Sequence, residues 1–115
     1  MGIHLQRAYD KDHLPGTRIL VDRLWPRGIK KEDLHLNEWH RSVAPSTGLR
    51  QWFNHDPERW EEFKARYIAE LKDNPGAWQP LLQAAREGDL VLIYGAKDEE
   101  HNQAVVLCEF LREHL

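Results

Sequence analysis

The sequence predicts an α/β fold: one small layered domain whose mostly parallel sheet of about four strands is flanked by helices. Three observations predict it. Two continuous apolar runs, Ile19-Leu20-Val21 and Leu90-Val91-Leu92-Ile93-Tyr94, have the unbroken, branched character of strands covered on both faces. Three segments with helical spacing lie between them, and a fourth follows the second run. The order is then strand, strand, candidate strand, three helices, strand, helix. Three successive helices between neighbouring parallel strands are unusual, so an antiparallel α+β arrangement stands as the alternative.

Each element has its own justification. Ile3 to Arg7 alternates Ile3 and Leu5 with His4 and Gln6, a short strand with one more apolar face. Lys11 to Thr17 is polar and contains the turn pair Pro15-Gly16 before the second strand begins at Ile19. That connection is too short for a helical crossover, which leaves the relative direction of the two strands open. Lys30 to Leu34 predicts one helical turn. Leu36 to Val43 reads as strand or loop, and Trp39, Arg41 and Val43 on alternate positions favour a third strand.

Ala44-Pro45-Ser46 ends that segment, and Ser46 suits the N-cap of a helix running to about His55. Asp56-Pro57 starts the next helix, because aspartate suits the cap and proline the first helical position. Trp60, Phe63, Tyr67, Ile68 and Leu71 form its apolar stripe. Asn74-Pro75-Gly76 breaks it, and Ala77 to Glu87 makes a shorter helix with Gly88 as its stop. After the Leu90 to Tyr94 strand, a helix from about Glu99 to Glu113 closes the chain, with Ala104, Leu107, Cys108 and Leu111 inward.

The 115 residues fall within the ~100 to 150 usual for one compact domain. No repeat or linker divides them, so residues 1–115 are expected to form a single domain. A hydrophobic fraction of 41% and a charged fraction of 30% suit a soluble globular chain. No apolar run approaches the roughly 20 residues of a membrane span, and the N-terminus lacks a secretory apolar core. A cytoplasmic location follows as the expectation, and the lone Cys108 agrees with a reducing compartment. The net charge of −3 argues against a general phosphate-backbone binder. Nucleic acid and membrane are therefore disfavoured as partners, and the oligomeric state stays open.

Polar residues cluster where the predicted strands end. Arg7, Tyr9 and Asp10 follow the first, Asp22, Arg23, Trp25 and Arg27 follow the second, and Lys97 and Asp98 follow Tyr94. Parallel strands would gather these ends along one sheet edge, where open α/β folds bind ligands. Arg23 and Arg27 supply planar forks for a phosphate or carboxylate, and Lys97 a mobile charge. Asp22 and Asp98, with Lys97, are the candidates for proton transfer, while Arg7, Tyr9, Trp25, Ser46 and Tyr94 are candidates for the ligand wall and anion cradle. The same charges also make sense as ion pairs pinning the loop to the sheet. Lys97, read as the start of the last helix, would oppose the helix dipole, which points to a ligand or to a salt bridge with Asp22 or Asp10.

Other chemistries lack their signatures. Gly95-Ala96-Lys97-Asp98 matches neither the dinucleotide fingerprint nor the phosphate loop, and no cofactor is called for. The seven histidines show no paired metal-ligand spacing. Ser46 lacks a nucleophile elbow, and Cys108 sits within an apolar stripe.

Arg7-Ala8-Tyr9-Asp10, Arg18 to Gly28, Pro45-Ser46 with Leu49-Arg50, and Tyr94 with Ala96-Lys97-Asp98 together resemble the YeaO-like branch of the domain-of-unknown-function family 488. Asp-Arg-Leu-Trp-Pro-Arg-Gly is the specific segment. The resemblance spans nearly the whole chain and implies a single α/β domain, favouring the parallel arrangement. It implies no catalytic residue, because the family's members have no established activity. The expected function is binding of a small anion at the strand ends, with or without chemistry on it. A noncatalytic interaction module using the Trp25-Pro26-Arg27 loop is the alternative.

Overall fold

The computed structural model describes residues 2–115. Strands β1 (Gly2–Arg7), β2 (Thr17–Leu20), β3 (Glu38–Trp39) and β4 (Asp89–Tyr94) form a sheet in the order β1-β4-β2-β3. Every neighbouring pair is parallel. The first two strands thus run the same way, with β4 between them. Gln6 holds the connection that joins them: its side-chain amide donates to Asp12 O, and its Oε1 accepts from Leu14 N at 3.1 Å. Gly16 ends that connection at φ 134°, where a Cβ would stand 2.7 Å from the Asp89 carbonyl oxygen. Glycine lets the chain pass the start of β4 there.

The helices are α1 (Lys31–Leu34), α2 (Thr47–Phe53), α3 (Trp60–Lys72), α4 (Pro75–Glu87) and α5 (Gln103–His114). Ile3, Ile19, Val21, Leu90, Leu92 and Tyr94 join the apolar stripes of α2 to α5 in the main core. Leu20, Val91 and Ile93 point the other way and meet Ala8, Leu34 and the partly buried Trp25, Ile29, Leu36 and Trp39. The flanking helices are divided unequally between the two faces, with α2 to α5 on one and α1 on the other. The second face is closed by the single turn of α1, by Trp25 of the connection between β2 and β3 and by Trp39 of β3. β2 and β4 are still apolar on both sides, which explains their unbroken runs.

Several boundaries differ from the sequence reading. The third strand shrinks to Glu38–Trp39 because β2 offers it Ile19 and Leu20 alone as partners. Arg41–Val43 instead turns as a 3₁₀ helix. Pro57–Arg59 is also 3₁₀, with Asp56 accepting from Glu58 N, and α3 proper begins at Trp60. Pro75 starts α4 rather than breaking the chain before it, in keeping with its fixed φ and missing N–H at the first turn. The last helix begins at Gln103, not Glu99, with the Asn102 side chain accepting from Val105 N. Lys97 therefore does not stand at its start, and the helix dipole gives no reason to assign that residue a ligand. Among the described residues, no helix is long and apolar enough to cross a membrane.

Candidate functional site

The chain leaves β4 towards α5 on the helix-covered face, whereas it leaves β2 towards Trp25 and α1 on the thin face. Adjacent parallel strands whose connections diverge in this way open a crevice beyond their carboxyl ends. A hollow of ≈ 390 Å³ occupies the crevice. Residues Asp22 to Arg27 line one side, Gly95, Ala96 and His101 another, and Arg50 and His55 reach it from α2 and the turn after it.

Asp22 ties the two strand ends together. Its Oδ2 accepts from Gly95 N at 2.8 Å, Oδ1 accepts from the Gln103 side-chain amide, and its backbone oxygen accepts from Trp39 Nε1 at 2.7 Å. A Cβ on Gly95 would lie 2.9 Å from Asp22 Oδ2, so the absent side chain is what lets this carboxylate reach the β4 backbone. Burial lifts the Asp22 carboxyl from its ordinary 3.8 to about 6, against the lowering influence of the Gly95 N–H, the Gln103 amide and the Arg50 charge. It can therefore hold or release a proton close to neutrality.

The other sequence candidates divide between this hollow and its surroundings. Arg23 lines it, but Nε and Nη2 donate to the Pro45 and Ala44 carbonyls at 3.0 and 3.3 Å. Arg27 also lines it and is exposed. Tyr9 joins them, its hydroxyl donating to Arg27 O at 2.8 Å. Arg7 braces the rim from behind, with Nε donating to Ala96 O at 2.9 Å and its guanidinium 5.1 Å from the Tyr9 ring centroid. Trp25 stands between this hollow and a larger one beside β3, donates to Ile29 O at 2.7 Å and meets Trp39 edge-on at 5.4 Å.

Ser46, Tyr94, Lys97 and Asp98 do not line the hollow. Ser46 caps α2 and faces a smaller space, with its N–H and hydroxyl donating to the two Glu70 carboxylate oxygens at 2.8 and 2.6 Å. An internal carboxylate thus occupies the position foreseen for an external anion. Tyr94 is buried in the main core, where desolvation raises its phenol. Lys97 is exposed and, among the described residues, forms no salt bridge to Asp22 or Asp10. Asp98 makes a turn: Oδ1 accepts from Glu100 N and His101 N at 2.9 and 3.0 Å, and Oδ2 accepts from His101 Nδ1 at 2.9 Å. The Glu100 N–H leads the interactions that hold this carboxyl below its usual range.

The structure adds residues that sequence reasoning missed. Arg50 brings a third arginine to a hollow whose lining contains a single carboxylate, Asp22. His101 brings an imidazole, Gln103 an amide on Asp22, and Glu70 the internal partner of Ser46. Asp98 and His101 at a spacing of three, just before the Asn102 cap, were the available signal for a shaped turn. Arg50 carried none, since its relation to Asp22 exists only in the folded chain.

A family model described as "Inactive DUF488-N3 subclade" matches residues 2–115. The chain is 43% identical over 113 residues to the Escherichia coli K12 protein named "Uncharacterized protein YeaO", covering 97% of this chain and 98% of that one. It is 37% identical over 110 residues to "Uncharacterized protein Rv3073c" of Mycobacterium tuberculosis H37Rv and to "Uncharacterized protein Mb3100c" of Mycobacterium bovis, covering 95% of this chain and 92% of each relative. No solved structure matches the chain.

Proposed function

Because the chain belongs to the DUF488 family, we propose that it is a noncatalytic, cytoplasmic binding domain that holds a small phosphate- or carboxylate-bearing ligand in the strand-end hollow. The observation that carries this reading is the charge of the lining: Arg23, Arg27 and Arg50 stand against Asp22 alone, and that carboxyl gives up its charge near pH 6. Guanidinium forks are suited to planar oxyanions. Asp22 orients the rim through Gly95 and Gln103, while Trp25 and Tyr9 wall the ligand. The family description "Inactive" supports retention of the ligand rather than turnover.

The test is a thermal-shift screen of phosphorylated and carboxylated metabolites. A ligand at 100 times its Kd stabilises the fold by about 2.7 kcal/mol, a melting-temperature rise on the order of 10 °C for a chain of this size. An Arg27→Met, Arg50→Met double variant is expected to melt near the parent temperature and to lose the shift. A shift that persists in that variant would remove the site.

The interaction-module reading draws support from Leu24, which stays 58% exposed beside Trp25. Pro26 is buried, so such a surface would consist of Leu24, Trp25 and Arg27 rather than the loop as a whole. It gains ground if no small anion shifts the melting temperature and a Leu24→Asp variant loses a protein partner that the parent retains.

A further inference from the structure

We infer that the ligand is a small phosphate monoester and that His101, oriented by Asp98, is one of the groups that grip it. This rests on the anion-binding reading above and narrows it. His101 is fixed on several sides. Nδ1–H donates to Asp98 Oδ2 at 2.9 Å, and Asp98 is itself held by the Glu100 and His101 N–H groups and by Asn102 Nδ2, which donates to its carbonyl oxygen at 2.9 Å. The ring stands edge-on to Trp60, with centroids 5.2 Å apart and planes at 90°. With Nδ1 committed, Nε2 is the remaining polar atom of a ring that lines the same hollow as Asp22, Arg27 and Arg50.

The donor set matches a phosphate better than a carboxylate. Arg27 and Arg50 make no hydrogen bond or ion pair from their side chains among the described residues, so both forks are open to a ligand. With Nδ1–H held by Asp98, Nε2 of His101 is the ring atom left to meet a ligand, in the same lining as the Arg27 and Arg50 forks. A phosphate monoester carries close to two charges at neutral pH and three terminal oxygens. A carboxylate, with one charge and two oxygens, meets the same groups with about half the charge and one oxygen fewer. The hollow of ≈ 390 Å³ suits a metabolite-sized molecule. Asp98 lies outside the lining and is a positioning residue.

Isothermal titration of the full chain with ribose 5-phosphate and with gluconate, at pH 6.5 and 8.5, tests this. The titratable and charged groups on the ring's own loop are Asp98, Glu99 and Glu100, those sharing its hollow are Asp22, Arg23 and Arg27 after β2 and Arg50 and His55 at α2, and Lys64 of α3 lies 6.0 Å from the Trp60 ring centroid. Ribose 5-phosphate is expected to bind about tenfold more tightly than gluconate and to weaken at the higher pH. The phosphate itself gains charge over that interval, so a fall in affinity reports a protein group. His101→Gln is expected to remove about tenfold in phosphate affinity and flatten its pH dependence, with little effect on gluconate. Asp98→Asn keeps the Oδ1 acceptor of the turn, so it should shift the pH profile while leaving the melting temperature near the parent value. Unchanged phosphate affinity and pH profile in His101→Gln, with binding lost in Arg50→Met, would overturn the role of His101 and leave the anion site standing. Gluconate binding as tightly as ribose 5-phosphate would overturn the phosphate preference. Binding of neither ligand nor inorganic phosphate by the parent chain would overturn both this inference and the reading beneath it.

Discussion

The thin face of the sheet and the hollow at its strand ends both receive arginines from the stretch Arg18 to Gly28, and they treat them oppositely. Arg18 is 7% exposed and spends its donors on uncharged acceptors: Gln6 Oε1 at 2.7 Å and the carbonyls of Leu14, His35 and Leu34 at 3.1, 3.1 and 3.2 Å. It binds β1, the connection after it and the end of α1 into one layer. Arg27, nine positions later, is exposed, and among the described residues its side chain makes no such bond. Donor saturation, in step with burial, separates a structural arginine from a candidate for binding, whereas sequence neighbourhood does not. Arg23 lies between the extremes, with two bonds to carbonyls and a place in the lining.

The largest expected effect comes from the saturated side of this comparison. Arg18→Met strips the partners from buried oxygens, each costing about 1–3 kcal/mol when left unmet. A loss on the order of 3 kcal/mol in urea unfolding is expected, with phosphate affinity of the folded protein unchanged. A loss below about 1 kcal/mol would show that water replaces the guanidinium and would break the comparison.

Asp22 gives the next effect, through pH. Its folded value of about 6 lies above the ordinary 3.8, so the folded chain binds the extra proton between those values. This contribution to stability is present at low pH, declines as pH rises from about 4 to 6, and is absent above that. Each tenfold change in proton affinity is worth ~1.4 kcal/mol. With an allowance for solvent, the parent is therefore expected to lose on the order of 2 kcal/mol across the window relative to Asp22→Asn. Melting curves of both proteins from pH 3.5 to 8 measure the difference. A parallel pair of profiles would mean that Asp22 keeps an ordinary carboxyl, and the hollow would lose its proton-holding group.

What could be read in advance followed local rules. The apolar runs of β2 and β4, the stripe of α3 and the Ser46 cap needed only neighbouring residues, and so did the charged tail after β2. What escaped was decided across the fold. The third strand has the length its partner allows. The long helices share one face and come from the β3 to β4 connection and the tail, while the two earlier connections carry only α1. Lys97 reads in sequence as the start of the last helix, but the chain first uses Asp98 for a turn and then caps α5 with Asn102. Arg50 and His101 depend on neighbours such as Gln103, which meets Asp22 across 81 positions.

The smallest effect tests whether Ser46 belongs with the saturated groups or with the hollow. Its N–H and hydroxyl both serve Glu70, and the hydroxyl oxygen also accepts from Leu49 N at 3.2 Å to cap α2. Ser46→Ala removes the cap and one of the two bonds to Glu70 while the N–H bond survives, so a loss of about 1 kcal/mol is expected. Glu70 also contributes to the raised Tyr67 phenol, second to burial, and Tyr67 donates to Val43 O at 2.5 Å. The carboxylate is thus embedded in packing that an external anion would have to displace. Phosphate affinity measured by titration should accordingly be the same in Ser46→Ala as in the parent. If it falls several-fold while stability falls by only the cap's share, Ser46 acts on the ligand, and the boundary between the Glu70-filled space and the arginine-lined hollow must move to include it.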